Sequence, residues 1–218
     1  MSARSVVLLH GLGRTSASMR PLERALVGRG YRVLNVDYPS RSADVDTLAR
    51  HVATHIAGVD GSETFDVVTH SMGGIVLRVA VARGYLSAER IGRVVMLGPP
   101  NAGSELADIL PAMPVVGPVY RRVIGPAGLQ LGTGAAALPA SLPPVEFELG
   151  VIAGDRSYNP LFSAILRGPS DGKVRVESTK VSGMTDFLVM PHWHPLLMAV
   201  PSVIAQAVHF LEAGAFRR

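Results

Sequence analysis

Phe65-Asp66-Val67-Val68-Thr69-His70-Ser71-Met72-Gly73-Gly74 is the stretch that decides the fold. A short apolar run, Phe65–His70, reads as a buried strand. An apolar segment of helical period, Met72–Arg83, starts directly after Ser71 and is closed by Gly84. A serine between a strand end and a helix start, with glycines behind it, is the setting of a nucleophile elbow. Such a turn holds the serine in a strained backbone and lifts its hydroxyl above the sheet. It also needs small residues two places to either side, where strand and helix come close. Gly73 meets that need on one side, and Thr69 stands where glycine is usual on the other. In isolation Ser71 would read as a helix N-cap; the strand–turn–helix context favours the nucleophile.

The same alternation runs outward from this turn. Strands are predicted at Ser5–His10, Arg32–Tyr38, Phe65–His70, Arg93–Leu97, Val145–Ala153 and Asp186–Met190. Helices are predicted at Ser18–Arg29, Ala43–Val59, Met72–Arg83, Asn159–Arg167 and Pro201–Glu212. In the second of these Val45, Leu48, Ala49, Val52 and Ile56 recur at helical spacing. Strands alternating with helices imply an α/β fold, here a mostly parallel six-stranded sheet with helices on both faces. The near-continuous apolar strands agree with burial on both sides. The segment from Pro99 to Pro144 breaks the rhythm. It is rich in proline and glycine, it is apolar for a solvent loop, and residues 106–144 read as a lid-like insertion in a single domain spanning 1–218.

Composition removes other classes. The chain has 218 residues, 48% hydrophobic, and no cysteine, which excludes a disulfide scaffold and argues against disorder. A net charge of +4 invites a nucleic-acid reading, but the charge is scattered arginine, with Arg121-Arg122 and Arg217-Arg218 as the longest runs. Without a basic stripe no nucleic-acid partner is expected. The apolar run Val6-Val7-Leu8-Leu9 is cut short by His10-Gly11, so neither a signal peptide nor a membrane span is predicted, and the expected location is cytoplasmic.

Four segments together resemble the α/β-hydrolase superfamily, and within it the small bacterial lipase-like serine esterases. They are His10-Gly11-Leu12-Gly13, Tyr38-Pro39-Ser40, Thr69–Gly74 and Leu97–Glu105. The C-terminal runs Ser170–Thr179 and Pro191–His194 also fit, so the resemblance covers nearly the whole chain outside the insertion. It implies the α/β-hydrolase fold, without the two strands that precede the first strand in larger members. It also assigns the turn after the first strand to an oxyanion hole. The chemistry asks for two rigid N–H donors, taken to be the backbones of Leu12 and of Met72, the residue after the nucleophile. His10 is expected to shape this loop and to contact substrate, without transferring a proton.

The fold's order of Ser, Asp, His leaves His192 and His194 as candidate bases. His194 is preferred because His194-Pro195-Leu196-Leu197 resembles the run that opens the last helix in such esterases. Trp193, the only Trp, is then a candidate wall of the substrate pocket. Two carboxylates compete for the acid. Asp171 is preferred, because Asp171-Gly172-Lys173-Val174 resembles the Asp-Gly-x-Val turn of bacterial lipases; Asp155 is the alternative, or a partner of Arg156. Asn101 and Ser104 are read as helix caps, and His51 and His55 as surface residues. The implied activity is hydrolysis of carboxylic esters on a small-molecule ester or lipid, with no metal and no cofactor. The same groups would serve an acyltransferase, thioesterase or amidase, and a non-catalytic lipid-binding module is the reading from another class. Natural substrate and oligomeric state stay open.

Overall fold

Strand pairing sets the frame in the computed structural model, which describes residues 4–57 and 64–218. In chain order the elements are β1 (Ser5–Leu9), α1 (Arg20–Val27), β2 (Arg32–Val36), α2 (Val45–Ala57), β3 (Phe65–His70), α3 (Met72–Ala82) and β4 (Ile91–Leu97). Then come α4 (Glu105–Ala112), α5 (Gly117–Leu129), α6 (Leu138–Ser141), β5 (Glu148–Gly154), α7 (Pro160–Leu166), β6 (Asp186–Met190) and α8 (Pro201–Ala213). The six strands pair in the order β2-β1-β3-β4-β5-β6, all parallel.

The layers follow from this order. The chain steps from β1 outward to β2, then back across β1 to β3. Right-handed crossovers in opposite directions fall on opposite faces of a sheet. Val6 and Leu8 therefore meet α1 and α8 through Leu22, Leu26, Val203 and Phe210. Val7 and Leu9, pointing the other way, meet α2 and α3 through Leu48, Val52, Ile75 and Val79. The reversal between β1 and β3 opens a crevice at the carboxyl ends of these two strands, the usual ligand position in an open parallel sheet.

Several element ends differ from the sequence expectation, and the register explains them. β2 stops at Val36 because its partner β1 stops at Leu9. β5 begins at Glu148, opposite Arg93, while Val145 instead donates its N–H to Ser182 O at 3.0 Å. The last two positions expected for α2, 58 and 59, lie outside the described residues. The 106–144 insertion folds into helices despite its prolines. Pro111 sits inside α4, and α5 kinks at Gly125 (φ 67°, ψ −176°) before Pro126. Among the described residues no helix is long and apolar enough to cross a membrane.

A buried arginine ties the insertion down. Arg78 on α3 is 5% exposed and donates to Asn101 O and Oδ1, both at 3.2 Å, to Leu142 O at 3.3 Å and to Pro143 O at 3.2 Å. Burial draws its pKa down to about 10. Asn101 in turn donates to Thr179 O at 2.8 Å, so it bridges loops and does not cap α4 as expected. Ser104 is the cap, accepting from Leu106 N.

Two buried histidines brace the loops above β1 and β3. His10 stacks on Tyr38 at 4.0 Å between centroids, bonds Gly11 O through Nδ1, and accepts from Tyr38 N through Nε2. The Tyr38 hydroxyl donates to His10 O. His70 donates through Nε2 to His194 O at 3.1 Å. Burial pushes both histidines below the ordinary 6.5, His70 strongly.

Two predictions follow from these buried groups. Held below the ordinary value by burial, His10 and His70 take up their protons at lower pH in the fold than in the unfolded chain, whose histidines protonate below about pH 6.5. Stability is therefore expected to hold above about pH 6.5 and to fall below it. Thermal melting followed down to about pH 5 checks this, and a flat Tm contradicts it. Arg78→Met removes the donor of four acceptors, two of them buried. It is expected to cost about 3 kcal/mol in urea denaturation, and a loss below about 0.5 kcal/mol contradicts the anchoring role.

Candidate active site

The β3–α3 turn carries its serine in a conformation that non-glycine residues rarely adopt. Ser71 has φ 54° and ψ −126°, one of two non-glycine residues with positive φ among those described. Its N–H donates to Leu97 O at 2.9 Å and its carbonyl accepts from Gly74 N at 3.0 Å, so backbone bonds to both flanks hold the turn. The close approach is real. A Cβ on Gly73 would lie 2.7 Å from Leu9 O and 2.8 Å from His10 O. Thr69 fits at the other position because Gly74, which packs against its hydroxyl, has no side chain.

Opposite the serine stands His194, 6% exposed, just after β6. Its Nε2 is 3.0 Å from Ser71 Oγ and its Nδ1 is 2.6 Å from Asp171 Oδ2. With Nδ1–H donating to the carboxylate, Nε2 is left to accept from the serine hydroxyl. Asp171 is fully buried, and its Oδ1 accepts from Lys173 N at 2.9 Å and Val174 N at 2.8 Å. Gly172 (φ 88°) permits the tight turn that presents those two N–H groups. His194 N also donates to Asp171 O at 3.0 Å, so the two loops are joined through backbone as well.

The other candidates lie elsewhere. His192 reaches Ser202 Oγ at 3.0 Å, at the start of α8. Asp155 faces Arg156, Nε to Oδ1 3.6 Å. His10 is fully buried behind the β1 loop and does not line the cavity, so the expected contact with substrate is replaced by a structural one with Tyr38. His51 and His55 stack on the outside of α2, and among the described residues no group of three or more His, Asp or Glu could hold a metal ion.

Ser71 and His194 open on a cavity of about 510 Å³. Leu12 lines it beside them, as does Trp193, which packs edge-on to Tyr158 with centroids 5.8 Å apart. The insertion supplies much of the apolar wall, through Leu106, Tyr120, Ile124 and Leu131. Met72 is buried, and its backbone N–H starts α3 beside the serine. Gly98 was not singled out by the sequence reading. It has φ 57°, and a Cβ there would sit 2.9 Å from Asp171 Oδ2 and 3.0 Å from His194 Nδ1. A glycine just past the end of the strand beside the one that leads to Ser71 is the signal that could have found it.

The fold occurs in known structures. The mature lipase BlEst2 of Bacillus licheniformis aligns with a TM-score of 0.76 at 19% identity, over 96% of this chain and 92% of that one. Phospholipase PlaB of Legionella pneumophila aligns at 0.74 and 17%, over 98% of this chain and 60% of that one. An extracellular α/β-hydrolase from a Paenibacillus species aligns at 0.60 and 17%, over 99% and 100%. At these identities the likeness is one of fold: the chain has the α/β-hydrolase fold. No curated protein matches its sequence. Residues 1–116 match the model of the family described as "Domain of unknown function (DUF7379)", which takes in β1 to β4 with the serine turn, and the chain belongs to that family.

Proposed function

We propose that the protein is a serine hydrolase that cleaves carboxylic esters through an acyl-enzyme. The observation that carries this reading is the unbroken hydrogen-bonded series Ser71 Oγ, His194, Asp171, set on a strained turn at the floor of an apolar cavity. A serine hydroxyl is a weak nucleophile at its own pKa and needs an adjacent base. His194 Nε2 takes the Ser71 proton as Oγ attacks the ester carbonyl carbon. Asp171 holds the imidazole in the required tautomer and stabilises the imidazolium, without itself being protonated.

The tetrahedral oxyanion is received by two backbone N–H groups, those of Leu12 and Met72. Around Leu12 the neighbouring donors are already engaged, Gly13 N by Ser40 Oγ at 3.0 Å and Arg14 N by Gly11 O at 3.2 Å. Met72 stands at the first position of α3, where an N–H has no partner within the helix and the helix dipole favours negative charge. His194 then protonates the departing alcohol. Water, deprotonated by the same imidazole, attacks the acyl carbon and releases the acid and free Ser71. Every step uses groups of this chain. The apolar wall contributed by α4 and α5 supports an acyl chain, and hence a lipid or other hydrophobic ester, as the substrate class.

Steady-state hydrolysis of p-nitrophenyl esters tests the assignment. Ser71→Ala and His194→Ala are each expected to lower kcat by about 10⁴-fold or more, and Asp171→Asn by about 10⁴-fold. His192→Ala and Asp155→Asn are expected to stay near wild type. Activity surviving in His194→Ala but lost in His192→Ala contradicts the assignment of the base, and activity surviving in Ser71→Ala contradicts the mechanism.

A further inference from the structure

The charged side chains lining the cavity above Ser71 are all of one sign. Arg14, Arg41 and Lys173 line it, and no Asp or Glu does so among the described residues. The three come from loops after different elements: Arg14 follows β1, Arg41 follows β2, and Lys173 lies two residues past Asp171. Acids on the adjoining segments are engaged elsewhere. Asp37 accepts from Ser16 N at 2.7 Å, Asp171 is committed to His194 and its own turn, and Glu105 pairs with Arg175 at 3.0 Å. The Lys173 ammonium sits 5.0 Å from the centroid of the Phe162 ring. Burial holds its pKa below the ordinary lysine value; Asp171 pulls upward and the positive charge of Arg14 pushes further down. Arg14 and Lys173 thus sense each other as like charges at one opening, with no carboxylate lining it.

The apolar lining comes largely from the insertion helices, through Leu106, Tyr120 and Ile124. An ester bound at Ser71 has an acyl chain and an alcohol portion, and the lining holds apolar and cationic groups. The acyl chain matches the apolar side chains of α4 and α5, and the alcohol portion matches the cations. We propose that this site takes esters whose alcohol portion bears a negative charge, a phosphate or a carboxylate, held by Arg14, Arg41 and Lys173. This rests on the esterase reading of Ser71. It adds that the site selects for charge on the leaving group, which the hydrogen-bonded series alone does not require.

The test compares a para-acyloxybenzoate with its neutral benzamide counterpart at the same acyl length. The kcat/KM of the wild-type chain is expected to favour the anion by about tenfold. The preference should shrink with added NaCl, because charges at an opening are screened. Arg14→Gln and Lys173→Gln should each move the ratio toward one. A wild-type ratio at or below one overturns the proposal while leaving the esterase reading intact. A ratio that neither substitution changes overturns it as well.

If neither ester is hydrolysed, the esterase reading has failed and binding decides separately. Quenching of Trp193, the only Trp, is then titrated with a short alkyl phosphate and with the matching alcohol. Tighter binding of the phosphate, lost on Lys173→Gln, upholds the anion site, and equal binding sinks it. A monomeric short-chain acyl glycerophosphate and vesicles of phosphatidylglycerol against phosphatidylcholine separate the sources of charge. Preference in solution assigns a soluble phosphate ester, and preference confined to vesicles assigns a lipid headgroup.

Discussion

Everything in the upper half of the molecule depends on Ser71 staying in a backbone conformation that costs roughly 1–3 kcal/mol. The turn can hold it only because the sheet on one side and α3 on the other are themselves over-determined. Val67 and Val68 beneath it and Ile75 and Val76 beyond it are fully buried. The strain has a steric corollary: strand and helix must touch with nothing between them. Gly73 lies against the carbonyls of Leu9 and His10, and Gly11 against His70 and Ser71. The serine is therefore fixed relative to β1 as well as β3, and the loop that offers Leu12 N–H is tied to the same turn.

The second constraint is the short path from Asp171 to His194. Gly98 leaves room for that pair, and Gly154 does the same from the next strand, where a Cβ would lie 2.8 Å from Asp171 Cβ. Carboxylate, imidazole and hydroxyl thus sit on the ends of β3 to β6, with glycines where a side chain would push them apart. The insertion is joined to this frame by Arg78, a buried cation whose two Nη groups bond neutral oxygens and no carboxylate. The same side chain couples the helix that follows Ser71 to the loop before the insertion and to the insertion's last residues.

The legible parts of the fold were those with local causes. Continuous apolar runs mark buried parallel strands, and β1, β3 and β6 lie within a residue of where they are read. The serine turn is legible because its steric demands fall on neighbouring residues. What was hidden depends on partners distant in sequence. The ends of β2 and β5 are set by β1 and β4. The helices α4 and α5 were obscured by Pro111, Gly125 and Pro126, which look like breaks and are accommodated by a kink and by packing of the two helices on each other. Asn101 looked like a cap because nothing nearby in sequence announces Arg78. His10, next to the oxyanion turn, looked like a substrate contact, and only the fold brings Tyr38 over its ring.

The central claim is that folding, by straining Ser71 and placing His194 beside it, turns an ordinary serine into a nucleophile. Labelling with a fluorophosphonate, followed by mass mapping of the adduct, measures that reactivity directly. The account predicts one adduct, on Ser71, absent from Ser71→Ala and from chain unfolded before the probe is added. A folded chain that leaves Ser71 unlabelled, or labels it no faster than the unfolded chain, would contradict it.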